Sequence, residues 1–234
     1  MTIFLAYCSV IYELLLAQTL TTLFSNTVLR YSMTMGLYIS AMGLGALIFS
    51  RISQRINRVH FISIELALSI LGGLAPFLLM GLESLFWVQK VTPTLSHYVL
   101  LILSHMLVVV IGLLSGFELP FLMDMAKNHA ASTANNLNSS LAVLSVDYLG
   151  TLLGIVLFPL VLLSQFSIFE IGLMTGIINL GMGLFAAVMF VGARWFIAPV
   201  IASVLALYTY LYVAMDSVET LVTLAYQSEQ GLKF

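Results

Sequence analysis

The stretch Leu141–Leu163, LAVLSVDYLGTLLGIVLFPLVLL, is an apolar run that contains one acid, Asp147. A helix rises about 1.5 Å per residue, so a helix over this run is long enough to cross the roughly 30 Å of hydrocarbon in a bilayer. A carboxyl group that faces lipid is strongly unfavourable, so we expect this helix to turn Asp147 toward other helices. Gly150 and Gly154 leave one helix face bare, where a neighbouring backbone can approach closely. The stretch therefore predicts a bundle of membrane-spanning helices.

The composition of the chain is that of a membrane protein. Apolar residues make up 61% of the 234 residues and charged residues 8%, with a mean hydropathy of +1.10, whereas about a quarter of the residues of a soluble domain are charged. The eight Lys and Arg residues are scattered and the net charge is −2, which argues against a nucleic-acid partner. The single cysteine, Cys8, excludes a disulfide within this sequence and a cysteine-based metal site.

Apolar runs of about 18 residues or more predict an all-α fold, a polytopic transmembrane helix bundle of about seven spans over residues 1–214. The predicted spans are 3–24, 34–50, 61–80, 98–117, 141–163, 168–191 and 195–214. The remaining residues, 215–234, place apolar side chains at helical spacing and are predicted to form a short amphipathic tail.

The loop after the second span sets the predicted orientation. It carries Arg51, Arg55 and Arg58, the densest positive cluster in the sequence, and the positive-inside rule places it in the cytoplasm. With seven spans, the N-terminus is then cytoplasmic and the C-terminus lies on the opposite side. We also expect an external loop between the third and fourth spans. Pro120 is expected to end the fourth span, with a cytoplasmic connector after it.

Four acids lie in or at the ends of the predicted spans: Glu13, Glu65, Glu118 and Asp147. No Lys or Arg lies within the spans to neutralise them, and unpaired intramembrane carboxylates are typical of cation sites and proton relays. One interpretation is a cavity that binds a cation or a cationic substrate and opens to the cytoplasm. The other is structural, because a protonated carboxyl group can donate a hydrogen bond to the next helix. His105, in the middle of the fourth span, is open to the same two interpretations.

Glycines four residues apart occur in three consecutive spans. The pairs are Gly112 and Gly116, Gly150 and Gly154, and Gly172 and Gly176. This spacing predicts close packing of helices rather than ligand binding. The sequence has no nucleotide-binding glycine loop after a strand, no HExxH motif and no nucleophile elbow, so it predicts no catalytic residue, no metal site and no cofactor.

Four pieces of the sequence together point to a known family. They are Tyr12-Glu13, GLYISAMGLGA at 36–46, GFELP at 116–120 and VDYLGTLLGIVLFPLVLL at 146–163. In this order they resemble the membrane region of the integral-membrane spermidine synthases, which are bacterial polyamine aminopropyltransferases. The resemblance implies a protein of the bacterial inner membrane. It also implies a soluble Rossmann-like domain after the membrane half, which binds decarboxylated S-adenosylmethionine and uses an Asp to deprotonate putrescine.

Nothing in this sequence resembles that soluble domain, so no catalytic residue is carried over to it. One hypothesis is therefore a membrane module, as a fragment, a split gene or a complete protein, that anchors or regulates a catalytic domain or subunit. The alternative is a small transporter or half-transporter for polyamines or other cations that uses the intramembrane acids. The expected partners are the lipid bilayer, a soluble aminopropyltransferase domain or subunit, a polyamine and a second copy of the chain. A cytoplasmic catalytic domain after the membrane half would require a cytoplasmic C-terminus, whereas seven spans place the C-terminus outside. These two expectations conflict.

Overall fold

The structure is a computed structural model that describes residues 1–53, 56, 58–88, 92–130, 136–190, 194–214 and 220. These residues are almost entirely helical and include no β-strand, which confirms the predicted all-α bundle. The helices are α1 (Thr2–Phe24), α2 (Thr27–Ile52), α3 (Arg58–Gly73), α4 (Ala75–Val88), α5 (Pro93–Ala130), α6 (Asn136–Leu157), α7 (Leu163–Gln165), α8 (Ile168–Phe190) and α9 (Arg194–Val213), and a π-helical turn, Phe158–Leu162, joins α6 to α7. The predicted tail 215–234 lies outside the described residues, apart from Thr220.

Within the described residues, five helices are long and apolar enough to cross a membrane. They are Thr2–Phe24, Thr27–Ile52, Thr94–Lys127, Ser140–Gln165 and Ile168–Met189. A sixth span is present if the bent pair Val59–Gly73 and Ala75–Phe86 crosses as one unit. The predicted seventh span, 195–214, coincides with α9. The apolar part of α9, Ala202–Val213, is shorter than the 18 residues required of a candidate span. These lengths and compositions indicate a membrane protein, and the seventh crossing stays a prediction.

The third predicted span, 61–80, is not one straight helix. α3 ends at Gly73, α4 begins at Ala75, and the two helices are bent by 45°. The cause is Pro76, which has no N–H to donate to the carbonyl of Gly72 and whose ring would collide with that carbonyl. α4 also continues to Val88, so much of the expected external loop is helical.

Pro120, expected to end the fourth span, does not end the helix that contains it. α5 runs through Pro120 as far as Ala130, so the first half of the expected cytoplasmic connector is helical. Phe121 and Leu122, directly after the proline, are buried in a cluster of apolar side chains. An interior proline costs a helix about 3 kcal/mol in water, but inside a membrane bundle neighbouring helices and local adjustments can satisfy the backbone groups that the proline frees. The packing therefore carries the helix past the proline.

The bundle is built around α1, the most buried of the long apolar helices. α1 contacts α2, α4, α5, α6 and α8. A helix that is apolar on all sides is suited to such a central position. The stretch 141–163, by contrast, lies at the edge, where α6 exposes one apolar face. This face is suited to contact lipid.

The three glycine pairs lie where two helices cross closely. A Cβ atom at Gly116 would collide with the backbone of Met42 in α2, and one at Gly150 would collide with the backbone of Ile3 in α1. At Gly172 it would lie 2.6 Å from the carbonyl oxygen of Gly73 in α3. The remaining members are Gly112, which faces α2, Gly154, which faces α1, and Gly176, which faces Tyr208 of α9. Small residues at these positions let the helix backbones approach.

Candidate functional site

α3 and α8 pack antiparallel and are joined by polar contacts in the bundle interior. The Ser69 hydroxyl donates to the carbonyl oxygen of Gly176 at 2.8 Å. One turn away, Nδ2 of Asn179 donates to the backbone oxygen of Glu65 at 3.0 Å. The Tyr208 hydroxyl, from α9, donates to the carbonyl oxygen of Ser69. These hydrogen bonds hold Glu65 and Asn179 side by side between the two helices.

Glu65 is fully enclosed by protein, with an exposed fraction of 0%. Neither of its carboxyl oxygens has a hydrogen-bond partner, and Oδ1 of the equally buried Asn179 has none either. The Asn179 amide lies beside the Glu65 carboxyl group but outside hydrogen-bond geometry. Gly183 makes room for this arrangement, since a Cβ atom there would lie 3.1 Å from Cβ of Glu65. Buried polar atoms without partners are rare in proteins, so this position is a candidate functional site.

Two more acids are linked to Glu65, Glu118 directly and Asp147 through Glu118. Glu118 of α5 is buried and interacts electrostatically with both Glu65 and Asp147. Asp147 of α6 is half-buried. The structure therefore brings together three of the four acids that the sequence singles out, from three different helices.

α1 supplies the side of the site that faces these acids. Tyr12 and Cys8 are buried, and both interact electrostatically with Glu65 and Glu118. The Tyr12 hydroxyl has no hydrogen-bond partner. The Cys8 thiol lies 3.8 Å from the carbonyl oxygen of Thr175 in α8 and donates to it. Tyr12 thus adds a fourth unpartnered polar atom to the three of Glu65 and Asn179.

Glu13, the fourth predicted acid, is buried on α1 but is linked to the others only indirectly. It interacts electrostatically with Tyr38 of α2, which also interacts with Glu118. The Tyr38 hydroxyl lies 2.8 Å from the Ser115 hydroxyl and donates to the carbonyl oxygen of Ser9 at 3.0 Å. These contacts tie α1, α2 and α5 together, so Tyr38 has a packing role between Glu13 and the other acids.

His105 lies away from this group. It is about 20 Å from Glu118 along α5, at about 1.5 Å per residue. Its Nδ1 is 2.7 Å from the carbonyl oxygen of Leu101, the preceding turn of the same helix. Nε2 of His105 is buried without a partner, but the distance along α5 separates this histidine from the acids.

Sequence reasoning did not identify Asn179 as part of the site. Its signal was present, because Asn179 is the only amide side chain in the apolar helix IFEIGLMTGIINLGMGLFAAVMF. Tyr12 was noted only as part of a family motif. Neither residue could be assigned to Glu65 without knowing that α1, α3 and α8 meet there.

The site combines carboxyl groups with other hydrogen-bond acceptors. The Lys and Arg residues that the structure describes lie near helix ends: Arg30, Arg51, Arg58, Lys127 and Arg194. No three His, Cys, Asp or Glu side chains in the described part of the chain are arranged to hold a metal ion. The arrangement is therefore suited to bind protons or a cation that carries hydrogen-bond donors.

No protein-family model matches the chain, and no solved structure matches it. Curated proteins do. The chain is 31% identical over 177 residues to polyamine aminopropyltransferase 2 of Ralstonia nicotianae, covering 74% of this chain and 32% of that protein. It is 31% identical over 183 residues to polyamine aminopropyltransferase 1 of Streptomyces coelicolor, covering 78% of this chain and 32% of that protein. It is 30% identical over 178 residues to the polyamine aminopropyltransferase of Leptospira interrogans, covering 76% of this chain and 32% of that protein.

The chain thus spans about a third of the length of the curated relatives it matches. Over about three quarters of its own length it is related in sequence to polyamine aminopropyltransferases, which supports the family resemblance of its motifs.

Proposed function

We propose that this chain is the membrane module of a spermidine synthase-like protein and holds an aminopropyltransferase domain or subunit at the bacterial inner membrane. The observation that carries the proposal is the similarity to about a third of several polyamine aminopropyltransferases. The long apolar helices support the membrane part of the proposal. The N-terminus and the loop with Arg51, Arg55 and Arg58 are cytoplasmic in this proposal.

The catalytic unit corresponds, in this proposal, to the two thirds of those relatives that lie outside the matched part. Transfer of an aminopropyl group needs a pocket that holds a charged donor and an amine acceptor together. The carboxyl groups of the bundle interior lie among apolar helices instead, and Glu65 is enclosed on all sides. An anchoring or regulatory role for the bundle, with catalysis in the attached unit, fits this separation.

The test is to find where the aminopropyltransferase activity lies in the cell. Cells that express the chain from its own locus are compared with cells that carry an in-frame deletion of residues 1–214. Membrane and soluble fractions are assayed for spermidine formation from labelled putrescine and decarboxylated S-adenosylmethionine. We expect the activity to be in the membrane fraction before the deletion and in the soluble fraction after it. Activity that stays in the membrane fraction after the deletion contradicts the proposal.

A matched control separates loss of the module from disturbance of the membrane. Leu152 is exposed on the outer face of α6, and Leu152→Ala removes apolar surface there without touching the interior. Cells with this variant are expected to keep the activity in the membrane fraction.

A second candidate function is transport of polyamines or other cations through the bundle, with a second copy of the chain completing the path. It is favoured by one observation, the gathering of Glu65, Glu118 and Asp147 in the interior. In this proposal the three acids and Glu13 are ligands for the substrate or for protons. The test is uptake of labelled putrescine by proteoliposomes that contain the purified chain. Uptake that Asp147→Asn lowers supports it, and uptake equal to that of empty liposomes rejects it.

A further inference from the structure

We infer that the interior of the bundle contains a binding site for the ammonium group of a protonated amine. The site consists of Glu65, Glu118, Asn179 and Tyr12, and we call it the Glu65 site. This inference deepens the second candidate function and rests on it in one respect, that a cationic amine reaches the interior. It names one acid of the four as the centre of the site, and it adds an amide and a hydroxyl group that the sequence did not assign.

The Glu65 site is rich in oxygen atoms that could accept a hydrogen bond but have no donor. Both carboxyl oxygens of Glu65 and Oδ1 of Asn179 are buried acceptors without a partner. The orientation of the Asn179 amide follows from its neighbour, because Nδ2 donates to the Glu65 backbone oxygen and a flipped amide would place two oxygens together. A primary ammonium group carries three N–H donors. These three donors can therefore all be satisfied within the site, which holds a fourth unpartnered oxygen in the Tyr12 hydroxyl.

The Glu65 site contains acids but no cationic side chain that would compensate them. Glu118 interacts electrostatically with Glu65 and adds a second carboxyl group. Among the residues that the structure describes, the other polar or ionisable groups that interact with these two acids are Asp147, Cys8, Tyr12, Tyr38 and Asn179, and none of them is cationic. Carboxyl groups in an apolar interior require a counter-charge or protonation. A bound ammonium group supplies the positive charge that these neighbours lack.

The groups that line the Glu65 site indicate which kind of cation it would bind. Sites for quaternary ammonium groups are built from several aromatic faces, and the Glu65 site contains one aromatic residue, Tyr12, whose polar hydroxyl is unpartnered. Oxygen acceptors without partners are suited instead to a cation that donates hydrogen bonds. Charge-assisted hydrogen bonds of this type are among the strongest in proteins.

The experiment is calorimetric titration of the purified full chain in detergent with four probes. Methylammonium and putrescine carry N–H donors and positive charge. Tetramethylammonium keeps the charge without the donors, and 1,4-butanediol keeps the chain length of putrescine without the charge. We expect saturable binding of the first two and none of the last two. The inference is overturned if neither methylammonium nor putrescine binds saturably. It is also overturned if tetramethylammonium binds as tightly as the two amines.

Variants then locate the binding. Glu65→Gln keeps the shape of the side chain and removes its charge, and we expect amine affinity to fall at least about tenfold. Tyr12→Phe removes a hydroxyl group that has no hydrogen-bond partner, so folding is preserved and affinity is expected to fall about threefold to tenfold. The matched control is Thr34→Val on α2, which removes another buried, unpartnered hydroxyl group. It is expected to bind amines like the unmodified chain.

Each variant has its melting temperature measured before titration. The inference is overturned if Glu65→Gln binds amines as tightly as the unmodified chain. It is also overturned if Thr34→Val lowers the affinity for amines as much as Tyr12→Phe does. If Glu65→Gln does not fold, Tyr12→Phe and Thr34→Val alone decide. Failure of the anchoring test leaves this result unaffected. Amine binding without putrescine uptake rejects transport and retains the Glu65 site.

Discussion

Replacing Gly45 by Ala tests the close crossing of α2 and α5. Gly45 is buried, and a Cβ atom there would collide with the carbonyl oxygen of Leu113 and lie 3.1 Å from Cα of Gly116. Both neighbours are backbone atoms, so no side-chain rotation relieves the collision and the two helices must move apart. Gly43, two residues away on the same helix, has nothing within 4 Å of its would-be Cβ. Gly43→Ala is therefore the matched control.

The magnitude follows from two opposing effects. Alanine is favoured over glycine in a helix by about 0.5–1 kcal/mol, and this gain applies to both variants. Overpacking typically costs about 1–3 kcal/mol and applies only to Gly45→Ala. We expect Gly43→Ala to be as stable as the unmodified chain or slightly more stable. Gly45→Ala is expected to be less stable than Gly43→Ala by about 1–3 kcal/mol.

Cys8 provides the assay. It is the single cysteine of the chain and is buried on α1, so its thiol reacts with a maleimide when the bundle opens. Labelling is followed as the purified protein is titrated from a mild detergent into sodium dodecyl sulfate. The midpoint of labelling is expected at a lower dodecyl sulfate fraction for Gly45→Ala than for Gly43→Ala. Equal midpoints would refute the reasoning that backbone contact at this crossing stabilises the fold.

Three further predictions concern the start of α8, the attachment of α9 and the orientation. The Ser167 N–H donates to the Glu170 carboxylate at 2.8 Å, as in a capping box. Glu170→Ala removes this contact and should lower the free energy of unfolding by about 0.5–2 kcal/mol. An unchanged labelling midpoint would contradict this prediction. Tyr208→Phe removes the hydroxyl that joins α9 to Ser69 and should lower the free energy of unfolding by about 0.5–1.5 kcal/mol, with faster proteolysis within α9; resistance equal to the unmodified chain would show that the hydrogen bond is dispensable. A green fluorescent protein fused after Arg58 should fluoresce and an alkaline phosphatase there should be inactive, whereas active phosphatase would reverse the proposed orientation.

The bundle itself was predictable because span length and apolar composition are local properties of the sequence. The ends of the helices were not. Pro120 is a local signal for a helix end, but Phe121 and Leu122 pack into a distant apolar cluster and that packing prevails. In the third span Pro76 is a local signal for a bend, and the helix does bend there, between α3 and α4.

The acids of the candidate site were predictable as residues but not as a group. Whether two carboxyl groups meet depends on how each helix is rotated, and apolar periodicity is weak when a helix is apolar on all sides. Asn179 and Glu65 are 114 residues apart in sequence, and only the antiparallel packing of α3 on α8 brings them together. Glu13 is also buried, but it is linked to the other acids only through Tyr38.

The proposal that the bundle is a membrane module of an aminopropyltransferase is tested most directly by purifying the chain with its natural partner unit. An affinity tag is placed at the N-terminus of the chain at its own locus, and the protein is extracted from membranes in mild detergent and purified. The eluate is assayed for spermidine formation from labelled putrescine and decarboxylated S-adenosylmethionine. The account predicts that the activity elutes with the tagged chain. Recovery of the intact, folded chain with all the activity in the unbound fraction would contradict it.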